Sequence, residues 1–157
     1  MQQCHGIVYR ICYAYLYDRS HAEDLYQEIM LQVWKSLDRY KGESKVSTWV
    51  YRIAVNTAMT YNLQHKKATH EELPETINIA AEPRDGTKEA QLEALTKAIS
   101  QLDEPDRLII SLVLEGLSYK EIAEITGSNT NNTGVKINRI KIKLIKLMDN
   151  KMNDDNI

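Results

Sequence analysis

The sequence predicts an all-α protein: two small helical domains joined by a flexible acidic linker. Apolar residues recur at three- and four-residue spacing through most of the chain, and no convincing strand pattern interrupts them. Helix start signals recur, with Ser20 and Glu23, then Ser118 and Glu121, each reading as a capping box. Residues 69–88 break the pattern. They hold Pro74, Pro83 and Gly86, and their acids outnumber Arg84 and Lys88. The predicted organisation is therefore a domain over 1–68, a linker over 69–88 and a second domain over 89–152.

The elements follow in order. Ile7, Ile11 and Tyr15 mark a first helix from Met1 to Leu16. Ser20 caps a second, whose Leu25, Ile29, Val33, Trp34 and Leu37 read as one inward face. A loop from Lys41 to Lys45 contains Gly42. A third helix starts near Ser47 and runs to about Leu63, with Trp49, Ile53, Ala54 and Thr57 inward. Beyond the linker, Leu92, Leu95, Ile99 and Leu102 mark a fourth. Asp103 and Pro105 start a fifth, which Gly116 ends.

The stretch from Ser118 to Arg139, SYKEIAEITGSNTNNTGVKINR, carries the strongest functional signal. Ile122, Ala123 and Ile125 give a short helix an apolar side, and Gly127 follows where a left-handed residue is needed. Asn129 caps the next helix. This is the layout of a helix-turn-helix, whose second helix enters the major groove; a plain αα-hairpin in a bundle looks similar. From Lys136 to Lys151 that helix carries Lys136, Arg139, Lys141, Lys143, Lys146 and Lys151 against the single acid Asp149. Such a run either neutralises phosphates or forms a solvated face. Ile137, Ile140, Leu144 and Leu147 form its inward stripe.

Composition excludes other classes. A net charge of −2 rules out a generally basic nucleic-acid coat. No run of 18 apolar residues or signal region is present, so the cytoplasm is the expected location. Cys4 and Cys12 lie about 12 Å apart along one helix, too far for a disulfide. They read as buried apolar groups. His5, His21, His65 and His70 make no metal-ligand spacing with the cysteines, and no phosphate loop or nucleophile elbow exists. No catalytic site, metal or cofactor is expected.

Two segments together resemble a known family. Ala22 to Ala58, AEDLYQEIMLQVWKSLDRYKGESKVSTWVYRIAVNTA, is similar to the second region of bacterial RNA polymerase sigma factors of the sigma-70 family, extracytoplasmic-function (ECF) group. Leu102 to Leu144 is similar to the fourth region. Two matches in the right order are far more specific than either alone. The resemblance implies a factor that binds core RNA polymerase through its β′ and β subunits. It implies recognition of −10 and −35 promoter elements, aid to strand opening, an anti-sigma partner, and a monomer when free.

It also implies roles for residues. Asp24, Leu25, Gln27 and Glu28 match the motif that binds the β′ coiled coil, and the three polar ones share a helix face. Tyr40 to Asn56 matches the promoter-melting and −10-reading part. There Lys41, Ser44, Lys45, Ser47, Thr48, Trp49, Arg52 and Asn56 are the candidates, with Tyr40 and Tyr51 beside them. Polar edges read flipped bases, basic groups hold the backbone and aromatics stack. Trp49 lies at helical spacing with Ile53, which favours a core role. For the −35 duplex the candidates are Tyr119, Lys120, Asn129, Thr130, Asn131, Asn132, Thr133, Lys136 and Arg139. Asn pairs bidentately with adenine, and Arg or Lys with guanine.

The chain departs from the family in places. Thr133 stands where an apolar residue is usual, and Thr126 and Ser128 flank the turn where Leu or Ile is usual. Each hydroxyl needs a hydrogen bond if buried. Gly134 lowers helix propensity by about 1 kcal/mol relative to Ala. Only Lys66 and Lys67 follow the third helix where the family has a basic cluster, and the sequence starts at the helix carrying Ile7, before which the family usually has another, either absent or cut away here. Two other readings stay open: a stand-alone dimeric helix-turn-helix regulator of duplex DNA, and a sigma-like protein-interaction adapter.

Overall fold

The computed structural model describes residues 2–16, 19–66 and 87–154. Among them there are seven α-helices and no strand. These are α1 (Gln2–Tyr15), α2 (Arg19–Ser36), α3 (Val46–Lys66), α4 (Thr87–Ser100), α5 (Glu104–Leu114), α6 (Tyr119–Thr126) and α7 (Thr130–Asp154). A 3-10 turn, Leu37–Arg39, follows α2. The linker residues 69–86, His70 and Lys67 lie outside the described residues, and α4 already begins at Thr87.

Local chemistry explains most helix ends. Asp103 accepts from the Asp106 backbone N–H at 3.2 Å, with Pro105 in the first turn of α5. Ser118 and Glu121 close a reciprocal capping box, at 3.1 Å and 2.8 Å. The Ser118 backbone N–H holds the Glu121 carboxyl below the usual glutamate range. The cap is therefore complete above that range and weakens as pH falls through it. Gly127 ends α6 with φ +70°, a conformation that a side chain would strain. Asn129 Oδ1 then accepts from the Asn132 N–H at 2.8 Å and starts α7. The expected cap at Ser20 differs: α2 begins at Arg19, so Ser20 sits within its first turn.

The helices α1, α2 and α3 pack on one another, and α7 gathers α4, α5 and α6. The two groups do not stay apart. α3 packs against α6 and α1 against α5, so one apolar core runs from Cys4 to Leu144. Burial pushes the Cys12 thiol up to about 12, which leaves it a small buried apolar group.

Polar contacts stitch the junction. Glu115, the C-terminal cap of α5, pairs with Arg10 at 2.7 Å and accepts from the Tyr51 hydroxyl at 3.0 Å. The pairing raises the Arg10 pKa, and burial raises that of Tyr51. Arg107 donates to the carbonyls of Tyr15 and Leu102, both at 2.8 Å, and so satisfies the end of α1. Asn62 donates to Glu104. These bonds give the junction direction, whereas apolar burial gives it most of its strength.

Candidate polymerase and promoter surfaces

Helix α2 buries Leu25, Ile29 and Val33 against α1 and α3, which turns the opposite face to solvent. Asp24 and Gln27 are exposed there. Glu28 is half-buried and accepts from Gln32 Nε2 at 3.0 Å. Leu31 and Trp34 continue the stripe at 42% and 67% exposure, so an acidic end runs into an apolar one. Positions 24, 27, 31 and 34 share one side because their spacings of three and four residues match the helix turn.

On α3, the spacing of residues 49, 52 and 56 puts Trp49, Arg52 and Asn56 on one side, with Lys45 just before the helix. Lys41, Lys45, Arg52 and Asn56 are exposed; Ser44 and Ser47 are partly so. The Tyr40 ring lies 5.0 Å from that of Trp49, and its hydroxyl donates to the Ser44 carbonyl at 2.6 Å. Tyr40 thereby folds the loop 41–45 over the start of α3, with Gly42 at φ +73° making the bend. Two of these cations reach the second group of helices. Arg52 Nη2 donates to the Glu124 carbonyl at 3.1 Å, in the last turn of α6. Lys45 lies 3.9 Å from Glu121.

Helix α7 buries Thr133, Ile137, Ile140 and Leu144 and presents Asn131, Val135, Asn138, Arg139 and Ile142 to solvent. Thr130, Asn132 and Lys136 are exposed too, as is Lys120 on α6. Tyr119 leans on Gly134, and Lys141 Nζ contacts its hydroxyl at 3.3 Å. Asn129 is spent on the cap of α7.

Comparison with known proteins then decides the family. Residues 1–68 match Sigma-70 region 2, and residues 92–144 match Sigma-70, region 4. The chain is 31% identical over 135 residues to RNA polymerase sigma factor SigZ of Bacillus subtilis, covering 84% of this chain and 75% of that protein. It is 30% identical over 142 residues to the ECF RNA polymerase sigma-E factor of Escherichia coli, covering 82% and 72% respectively. The chain belongs to the sigma-70 family, in its ECF group. In fold it is similar to sigma factor RpoE in complex with anti-sigma factor NepR from Bartonella quintana. The TM-score is 0.74 at 19% identity, over 94% of this chain and 93% of that one. CnrH in complex with the cytosolic domain of CnrY gives 0.63 at 20% identity, over 92% and 82%.

As a sigma factor the protein binds core RNA polymerase and promoter DNA and directs promoter-specific transcription initiation. Several residue expectations need correction. Leu25 is fully buried, so it holds α2 in place and is not part of the exposed face. Thr48 and Thr133 are each 5% exposed and face the sigma factor's interior, away from solvent. Trp34 and Leu37, expected inside, are 67% and 41% exposed, and Leu92 is 65% exposed, because no helix among the described residues covers them. Lys143, counted in the basic run, turns inward to the buried Asp106 at 2.6 Å and ties α7 to α5. The side chain of Lys151 lies outside the described residues. Leu31 and Trp34 were missed as surface residues. Their phase with Asp24 and Gln27 was the signal that could have found them.

The unusual hydroxyls of region 4 meet different fates. Thr126 donates to the Ile122 carbonyl at 2.8 Å, and Ser128 is exposed. Thr133 Oγ1 is buried with no hydrogen-bond partner among the described residues. Thr133→Val therefore raises stability by about 1 kcal/mol, close to 3 °C in melting temperature. Upstream-element affinity stays unchanged. Thermal unfolding and a promoter-binding titration check both halves; lost DNA affinity would return Thr133 to the DNA face.

Proposed function

We propose that residues 1–68 act as the polymerase-binding and −10 domain and residues 89–152 as the −35 domain, with 69–88 as the tether. Asp24, Gln27 and Glu28 dock on the β′ subunit, and Leu31 and Trp34 extend that contact. Lys41, Lys45, Arg52 and Asn56 hold the opened strand, with Trp49 and Tyr40 as the stacking pair. Tyr119, Lys120, Asn131, Asn132, Lys136 and Arg139 engage the upstream duplex. Strand opening draws on base capture and needs no catalytic group. The protein works in the cytoplasm, beside the polymerase, and takes an anti-sigma partner, as the similar sigma factor RpoE does with NepR.

The observation that carries this reading is that both matched regions expose polar side chains along a helix face: α2 and α3 in one, α7 in the other. The packed arrangement adds a step. Elements named for −10 and −35 lie about 25 base pairs apart, or roughly 85 Å along the duplex at 3.4 Å per pair. A compact chain of this length is about 40 Å across. Region 4 must leave region 2 before both elements are held, and the eighteen residues from 69 to 86 reach up to about 60 Å. Arg10, Tyr51 and Glu115 hold the closed form, and leaving it frees Lys45 and Arg52 for DNA.

Mixing the protein with core RNA polymerase tests the reading, by size exclusion followed by transcription from a random promoter library. Co-elution with selective initiation is expected. A dimer that shifts duplex DNA without polymerase would replace this reading with the stand-alone regulator.

A further inference from the structure

Helix α7 presents a residue that the fold does not use. Val135 is 49% exposed and lies between Asn131, four residues before it, and Asn138, three after, on the side away from the core. Valine is a poorer helix former than alanine, so an outward valine in mid-helix adds nothing to local stability. Beside it the surface dips. Tyr119, Gly134 and Val135 line a shallow depression whose rim carries Thr130, Asn131 and Asn138. Gly134 supplies the floor: it has no side chain, and a Cβ there would meet the Tyr119 ring only at 3.6 Å. Lys141 holds that ring at its hydroxyl.

The charge around the depression suits a duplex. Lys120 on α6 and Lys136, Arg139 and Lys141 on α7 are exposed, and residues 130–148 contain no acid. In the major groove the one apolar feature of any base pair is the thymine C5-methyl, and adenine offers the pair of groups that asparagine matches. An open, mainly apolar dip between two outward asparagines fits an A·T step better than a G·C step.

We infer that Val135 is a specificity-determining residue that seats a thymine methyl of the upstream element in the depression beside Gly134 and Tyr119. Asn131 and Asn138 take adenines next to it. The upstream element of this sigma factor is accordingly A·T-rich under the middle of the first three turns of α7. The inference rests on the proposed placement of α7 on the −35 duplex.

Deoxyuridine, which is thymidine without the methyl, tests it. The full chain is assembled with core polymerase, its promoter is chosen from the random library, and each upstream thymidine is replaced in turn by deoxyuridine. One position is expected to lose about fourfold in holoenzyme affinity, the worth of one buried methyl. With Val135→Ala the same replacement is expected to change nothing, while co-elution with polymerase is retained. Gly134→Ala is expected to raise the melting temperature through better helix propensity and yet weaken the promoter severalfold, because its methyl occupies the space between Val135 and the Tyr119 ring where the thymine methyl would sit. A selective promoter with no deoxyuridine-sensitive position, or one equally sensitive in Val135→Ala, would overturn the assignment of Val135. Unchanged promoter affinity in Gly134→Ala would overturn it too. Failure to select any promoter would instead remove the −35 placement itself.

Discussion

Glu28→Lys detaches the protein from core RNA polymerase, with an affinity loss of about 100-fold, and leaves the fold intact. The magnitude is that of a like-charge contact in a partly desolvated interface, about 3 kcal/mol. Glu28 is half-buried and held by Gln32 at 3.0 Å, so its carboxylate is already oriented before a partner arrives. A lysine at position 28 lies one turn from Asp24 and pairs with it, which spares the helix. Leu25→Ala is the contrast. It removes a fully buried side chain and is expected to cost 2–5 kcal/mol of stability, roughly, wherever polymerase stands. Co-elution and thermal unfolding separate the two effects. Persistent co-elution of Glu28→Lys would mean that α2 does not meet the polymerase through this face.

Joining region 2 to region 4 abolishes initiation. Arg10 and Glu115 pair at 2.7 Å across the junction, and neither lies among the candidate DNA or polymerase contacts. Replacing both by cysteine and bridging them with a short bismaleimide holds the closed form. The natural thiols compete little, since Cys4 and Cys12 are buried and the Cys12 thiol is pushed up to about 12. A bridged body about 40 Å across cannot reach elements roughly 85 Å apart, so run-off transcription is expected to fall to background. The unbridged double variant, which lacks the ion pair, is expected to initiate at least as well as the natural chain. Initiation by the bridged protein at the unbridged level would show that opening is not required.

What could be read from the chain alone was local. The box at Ser118 and Glu121, the left-handed Gly127, the Asn129 cap and the Asp103–Pro105 start each rest on bonds spanning three or four residues. Such bonds depend on neighbours that the sequence states. The two helical groups and the helix-turn-helix follow from them and from apolar spacing. Errors arose at the margins of helix faces. Apolar spacing gives the direction of a stripe, but the width that is covered depends on which helices arrive. Trp34 and Leu37 fell outside that cover, and Thr48 and Thr133 fell within it. Lys143 had the same kind of neighbours as Lys146, yet only Lys143 meets a buried carboxylate, Asp106, on another helix.

Sequence by itself determined the helices, the caps at Asp103, Ser118 and Asn129, and the family, because periodicity and capping are short-range. Tertiary structure alone decided which of those residues face outward and that the two regions close on each other. Tyr51 and Glu115 are 64 residues apart, and Tyr15 and Arg107 are 92. No local rule links such pairs. Their meeting is set by the apolar faces of α1, α3, α5 and α6, which are buried together only when the chain is folded.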